Sequence, residues 1–221
     1  LARHWSDMLA LIADVALNPT IPESTAAAVK DFLLKQIRNR GDKPYDAGVD
    51  FIGRRLYGSH PYAWNPLGHK ESVEAQTRDT LVAHYRRFYG PAGMVLAVSG
   101  RVKTDEVLAR VRALFGGMPE GYGPAPALPS PPSLEASRDG IEVSGAQAQI
   151  LMASFGPPMV HPDFPAVKVL ANVLGGGMSG RFFSELRDKQ GLAYTTGALV
   201  PARIERPPFV AQIGTAPENV E

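Results

Sequence analysis

Residues 174–194 read Leu174-Gly175-Gly176-Gly177-Met178-Ser179-Gly180-Arg181-Phe182-Phe183-Ser184-Glu185-Leu186-Arg187-Asp188-Lys189-Gln190-Gly191-Leu192-Ala193-Tyr194. A helix runs into a glycine turn, a second helix over residues 179–189 follows, and beyond the Gly191 turn the chain enters a strand. Outward from there, the pattern predicts a helix over 164–174, a strand over 148–155, and strands over 192–200 and 208–214. Helices and strands alternate without the one-to-one rhythm of a doubly wound sheet. The predicted class is therefore α+β, with mostly antiparallel sheets and packed helices.

Upstream the chain is mainly helical. Apolar periodicity predicts helices over 5–17, about 24–40, 45–57, 77–88 with Thr77 as its cap, and 104–115, broken by Asn18-Pro19-Thr20-Ile21-Pro22 and Gly41-Asp42. The apolar run Met94-Val95-Leu96-Ala97-Val98-Ser99-Gly100 suits a buried strand. Pro119, Pro124, Pro126, Pro129, Pro131 and Pro132 crowd one segment and leave too few donors for regular structure. That segment, 118–138, is the expected linker between a domain over 1–117 and another over 139–221. The helical opening at Leu1 and the helix-like Pro217-Glu218-Asn219-Val220-Glu221 create the expectation of a fragment with both ends missing.

The 221 residues suffice for a sizeable core, and their 44% hydrophobic and 20% charged content is that of a globular chain. A formal net charge of +1, without a basic stripe, argues against nucleic acid as partner. No apolar run is long enough to span a bilayer. Zero Cys removes disulfides, thiolate metal sites and thiol nucleophiles.

The five histidines (4, 60, 69, 84 and 161) have no metal-ligand spacing, and no H-E-x-x-H occurs. His60 and His161 precede prolines in loops, where a solvated or locally hydrogen-bonded imidazole is expected. The glycine run at 175–180 lacks a P-loop lysine and reads as a turn that allows two helices to pack closely. No G-x-S-x-G elbow occurs. Arg187, ending a helix, and Tyr194, entering a strand, can face one cleft. As a guanidinium and phenol pair they suit a peptide carbonyl or an oxyanion; a surface ion pair and a half-buried tyrosine are the competing structural reading.

The 174–194 stretch closely resembles a signature of the insulinase/pitrilysin-type zinc peptidases, which include mitochondrial processing peptidases. His60-Pro61-Tyr62 with Gly68, the stretch from Tyr85 to Tyr89 with Gly90-Pro91-Ala92-Gly93 and the apolar run after it, and Ile213-Gly214-Thr215-Ala216-Pro217-Glu218-Asn219 extend the resemblance, in order, over nearly the whole chain. It implies the later part of one α/β-roll domain, a linker, and the earlier part of a homologous second one.

In that family an inverted H-x-x-E-H motif supplies two zinc ligands and the general base, and a Glu on a downstream helix completes the site. The motif would lie before Leu1. On the helix after Pro22-Glu23 the resemblance puts Gln36 where the ligand Glu is expected, beside Lys35, and a neutral amide leaves the site one negative charge short. The metal site is thus expected to be lost, and no catalytic residue is assigned in this chain.

What the resemblance implies is a non-catalytic, substrate-binding subunit of a heterodimeric zinc metallopeptidase. Arg187 and Tyr194 would hold peptide substrates, and zinc would sit in a homologous partner subunit or a full-length active homologue. An active zinc endopeptidase with its motif upstream, and a non-proteolytic assembly protein of the same fold, are the alternatives. Because paired bacterial members are often exported, the periplasm is the expected compartment.

Overall fold

The computed structural model describes residues 2–119 and 127–220. Helices α1 (Trp5–Leu17), α2 (Glu23–Gly41), α3 (Pro44–Tyr57), α4 (Lys70–Glu74), α5 (Arg78–Phe88) and α6 (Thr104–Phe115) precede strand β1 (Ala148–Phe155) and helix α7 (Phe164–Gly175). A π-helical segment (Phe183–Lys189) and strands β2 (Thr195–Leu199) and β3 (Pro208–Thr215) complete the order. Two compact units result: one is Leu1–Phe32 with Ser72–Ala127, the other Leu33–Glu71 with Leu128–Glu221.

The first unit is helical. Leu9 and Ala13, four residues apart on α1, are buried, and α1 packs on α6, where Val107 is buried. Thr77 caps α5 reciprocally. Its hydroxyl accepts from the Thr80 N–H at 3.2 Å, and the Thr80 hydroxyl accepts from the Thr77 N–H at 2.9 Å. The Tyr85 hydroxyl donates to the Ala16 carbonyl at 2.6 Å, tying α5 to the end of α1. Ile21, a β-branched residue at φ +40°, is a strained turn position held by the Arg78 guanidinium on its carbonyl at 2.8 Å.

The strand expected over 94–100 does not form. Its backbone is in no ladder, and Val95 is 91% exposed. Apolar composition makes a run competent for a strand, but a strand exists only when a neighbour takes up its N–H and C=O groups. Among the described residues, every strand lies in the other unit.

The second unit is built on one antiparallel sheet of order β1-β3-β2. Ala148 faces Thr215 and Phe155 faces Pro208 on one side of β3, while Thr195 faces Gly214 and Leu199 faces Val210 on the other. Helix α3 packs on β1 and α7 on β2. At Gly48 the fit against the Leu151 side chain is close enough that a Cβ would lie 2.8 Å from it. The core includes Leu56, Tyr57, Ala171, Ala193, Val200 and Val210. This mixture of helices and antiparallel sheet is the α+β class that the sequence predicts.

An aromatic knot closes the end of α3. Tyr57, 1% exposed, meets Phe155 and Tyr62 edge to face at 5.4 and 5.6 Å, and its hydroxyl donates to the Arg206 carbonyl at 2.9 Å. The Arg203 guanidinium lies over the Tyr62 ring at 4.4 Å. Where α2 meets α3, Arg40 binds Asp50 with both prongs at 2.9 and 2.8 Å and reaches Asp46 at 3.2 Å, while Asn65 Nδ2 donates to Asp50 at 2.9 Å. Of the proline-rich segment, the described residues 127–138 carry neither helix nor strand, and 120–126 lie outside the described residues.

Candidate functional site

The site is assembled at the junction of the π-helical segment with β2. The helix expected over 179–189 forms as a 3-10 turn at Gly177–Ser179 followed by the π-helix at Phe183–Lys189. Its apolar positions fit either winding, so the backbone around it decides. The Ser184 N–H still bonds to the Gly180 carbonyl at 3.1 Å, and the wider turns intervene before Gly191 N–H closes onto the Arg187 carbonyl at 3.0 Å. Gly191, at φ +65°, takes the left-handed conformation that ends the segment, and Leu192 N–H returns to the Leu186 carbonyl at 2.9 Å.

The strand expected from residue 192 begins at Thr195, but the Tyr194 N–H already donates to the Gly214 carbonyl at 2.8 Å. The Thr215 hydroxyl donates to the Leu192 carbonyl at 2.5 Å, so the chain is pinned on both sides of Tyr194.

Arg187 and Tyr194 are brought together by this turn. The Arg187 Nη1 donates to the Tyr194 backbone carbonyl at 3.2 Å, and the guanidinium carbon sits 4.8 Å from the centre of the Phe183 ring. Both side chains remain open to solvent, Tyr194 at 55%. A guanidinium has a fork of donors and no acceptor, so the N–H groups not turned to Tyr194 are available to a carbonyl or carboxylate. The sequence pointed to the two donors but not to the stacking ring. The four-residue spacing from Phe183 to Arg187 was the signal that could have found it.

Gly175 works differently from the expectation that the glycine run lets two helices pack closely. A Cβ there would lie 2.0 Å from the Ala198 nitrogen and 2.4 Å from the Gly197 carbonyl carbon. The end of α7 therefore presses on the backbone of β2, the strand that carries Tyr194 at its entrance.

Gln36 is exposed on α2, as are Asp31 and Lys35. Among the described residues, no three His, Asp or Glu side chains converge where a metal ion could be held, and the Gln36 amide is a neutral donor, a poor ligand for zinc. His60 is buried at 4% exposure. Its Nδ1 accepts from the Tyr62 N–H at 3.0 Å, which leaves Nε2 to donate to the Pro129 carbonyl at 2.8 Å. It is the locally hydrogen-bonded imidazole of the two expected forms. His161 is exposed, with Nδ1 accepting from the Asp163 N–H at 3.2 Å. No described helix is long and apolar enough to cross a membrane.

Comparison with known proteins places this geometry in a family context. A family model described as the peptidase M16 inactive domain matches residues 76–221, which include the π-helical segment and all three strands. An uncharacterized zinc protease of Mycobacterium leprae is 36% identical over 192 residues, covering 84% of this chain and 42% of the relative. The crystal structure of a peptidase M16 inactive domain from Pseudomonas fluorescens aligns with TM-score 0.84 and 28% identity over 93% of this chain and 50% of that one. A chain of complex III2 from Candida albicans shares the fold, with TM-score 0.76 at 17% identity over 97% of this chain and 53% of that one. The chain thus spans less than half the length of the mycobacterial relative.

Proposed function

The chain belongs to the peptidase M16 inactive-domain family, and from that membership we propose that it serves as the non-catalytic, substrate-binding part of a heterodimeric zinc metallopeptidase that cleaves peptides. Residues 1–117 and 139–221 are then portions of two homologous peptidase-like domains joined through 118–138. Zinc and the general base reside in a homologous partner subunit, of the processing-peptidase kind that the sequence resemblance implies. In this chain Arg187 and Tyr194 hold the peptide. The observation that supports this reading is the pairing itself: an exposed guanidinium anchored through one N–H on the backbone carbonyl of Tyr194, a residue whose own side chain is exposed, inside the region matched by the family model. Donors fixed in advance lose less freedom on meeting a carbonyl than donors on a free side chain.

The name of the mycobacterial relative, a zinc protease of more than twice the matched length, favours a second reading in which the whole protein carries zinc itself. One experiment separates the two. The natural full-length protein is purified alone and its zinc measured by elemental mass spectrometry; peptide hydrolysis is then followed with and without its zinc-bearing partner, for the parent and for Arg187→Ala with Tyr194→Phe. The proposal expects no zinc in the chain alone. It also expects hydrolysis by the assembled pair to fall sharply in the double variant while the partner's zinc is unchanged. About one zinc per chain supports the second reading, and a double variant as active as the parent removes the substrate-holding role.

A further inference from the structure

Arg187 lies inside the π-helical segment Phe183–Lys189. π segments are rare and are found mostly as short departures inside helices at functional positions, because their wider turns pack less well than α turns. Phe183 opens this segment and Arg187 follows four residues later, a spacing at which two helical side chains can meet. The guanidinium has its carbon 4.8 Å from the Phe183 ring centre and its Nη1 on the Tyr194 carbonyl at 3.2 Å. One contact is to a face and the other to an edge acceptor, and together they restrain both the position and the plane of the group. Asp188 is exposed, and Lys189 reaches back to Glu185 at 2.8 Å, so the neighbouring carboxylate of Glu185 is engaged elsewhere.

We propose that Phe183 is a positioning residue for Arg187, with its ring and the Tyr194 carbonyl together holding the guanidinium in the orientation in which its outer N–H groups meet a peptide. The inference rests on the substrate-holding role given to Arg187 above and adds a residue to it. Phe183 touches no substrate in this arrangement; it acts through the arginine. A long exposed side chain otherwise samples many rotamers, and ordering it at the moment of binding weakens the complex.

The test uses the natural full-length protein with its arginine Nε labelled with nitrogen-15, the Arg187 resonance being assigned by its loss in Arg187→Lys. Phe183→Leu removes the ring and keeps an apolar side chain; Phe183→Tyr keeps the ring. The Arg187 Nε–H order parameter is expected to be high in the parent and in Phe183→Tyr, and to drop into the flexible range, below about 0.6, in Phe183→Leu. In the assembled pair, with a pool of quenched-fluorescent dodecapeptides as probe, Phe183→Leu is expected to raise KM about two- to five-fold with kcat held. Phe183→Tyr restores the parent value, and Phe183→Leu adds nothing to Arg187→Ala.

A purely structural role for Phe183 would instead lower the melting temperature and the active fraction, leaving KM and the Arg187 order parameter where they were. An unchanged order parameter in Phe183→Leu overturns the positioning role whatever the peptide data show. If that parameter falls but Arg187→Ala does not alter KM, positioning stands and the substrate-holding reading fails.

Discussion

Replacing Gly175 with Ala adds one methyl group at the place where α7 presses on β2. That methyl would sit 2.0 Å from the Ala198 nitrogen, 2.4 Å from the Gly197 carbonyl carbon and 2.8 Å from its Cα. All three are backbone atoms, so no side chain can swing aside. Reaching an ordinary contact distance requires α7 and β2 to separate by about 1.5 Å. The strand is not free to move, because Gly197 and Ala198 are in register with Gln212 and Ala211 of β3. Overpacking in a core costs about 1–3 kcal/mol when neighbouring side chains can adjust, and a backbone clash belongs at or above the top of that range. We expect a loss of about 3 kcal/mol or more, which for a chain of this size lowers the melting temperature by about 6–12 °C.

Two internal comparisons give that number meaning. Gly177→Ala meets no atom within 4 Å but carries a φ of +80°, so its cost is that of a left-handed alanine, about 1–2 kcal/mol. Gly93→Ala meets neither obstacle and is expected within about 0.5 kcal/mol of the parent. Urea unfolding followed by circular dichroism ranks the three. A Gly175→Ala protein no less stable than Gly177→Ala would refute the assignment of α7 and β2 to a rigid backbone contact.

Two further expectations concern the second unit. Burial pushes the Tyr57 phenol up to about 12 from its ordinary 10, against the opposing pull of Arg203. The folded state then keeps a proton that the unfolded chain releases, so this contribution is fully present below about pH 10. It declines between about pH 10 and 12 by about 3 kcal/mol; urea midpoints measured across that window should fall more steeply in the parent than in Tyr57→Phe, and parallel slopes would contradict it. Asp50→Ala strips the Arg40 fork of its two-pronged partner and Asn65 of its acceptor, leaving only the 3.2 Å contact to Asp46. Because these groups are partly shielded, a loss of about 1.5–3 kcal/mol is expected in urea unfolding, and one under about 0.5 kcal/mol would show that water replaces these bonds at almost no cost.

How much of this was legible in the sequence depends on where the determining contacts lie. Helices α1 and α6 and strand β1 have the bounds that periodicity predicts, because their own residues carry both the apolar stripe and the stop signals. The Thr77 cap was readable for the same reason: donor and acceptor lie three residues apart. Residues 94–100 were misread because their composition describes competence for a strand, whereas pairing depends on a partner elsewhere. The winding of 183–189 was hidden because one residue more per turn leaves the apolar positions on a plausible face in either helix. At the site, the sequence singled out Arg187 and Tyr194 as side chains. The joining atom is the Tyr194 backbone carbonyl, which every residue possesses and which no residue type can announce.

The strand order has a consequence for how this protein is made. β3 is the last of the three strands to leave the ribosome, yet it is the central one, and among the described residues neither β1 nor β2 pairs with anything else. Until residues 208–215 have emerged, both earlier strands are exposed with unsatisfied edges, β1 for the whole time needed to synthesise α7, the π-helical segment and β2. A nascent chain stalled before Phe209 would therefore present two open templates for intermolecular pairing, and chaperone demand during translation should peak there and fall once β3 inserts between them.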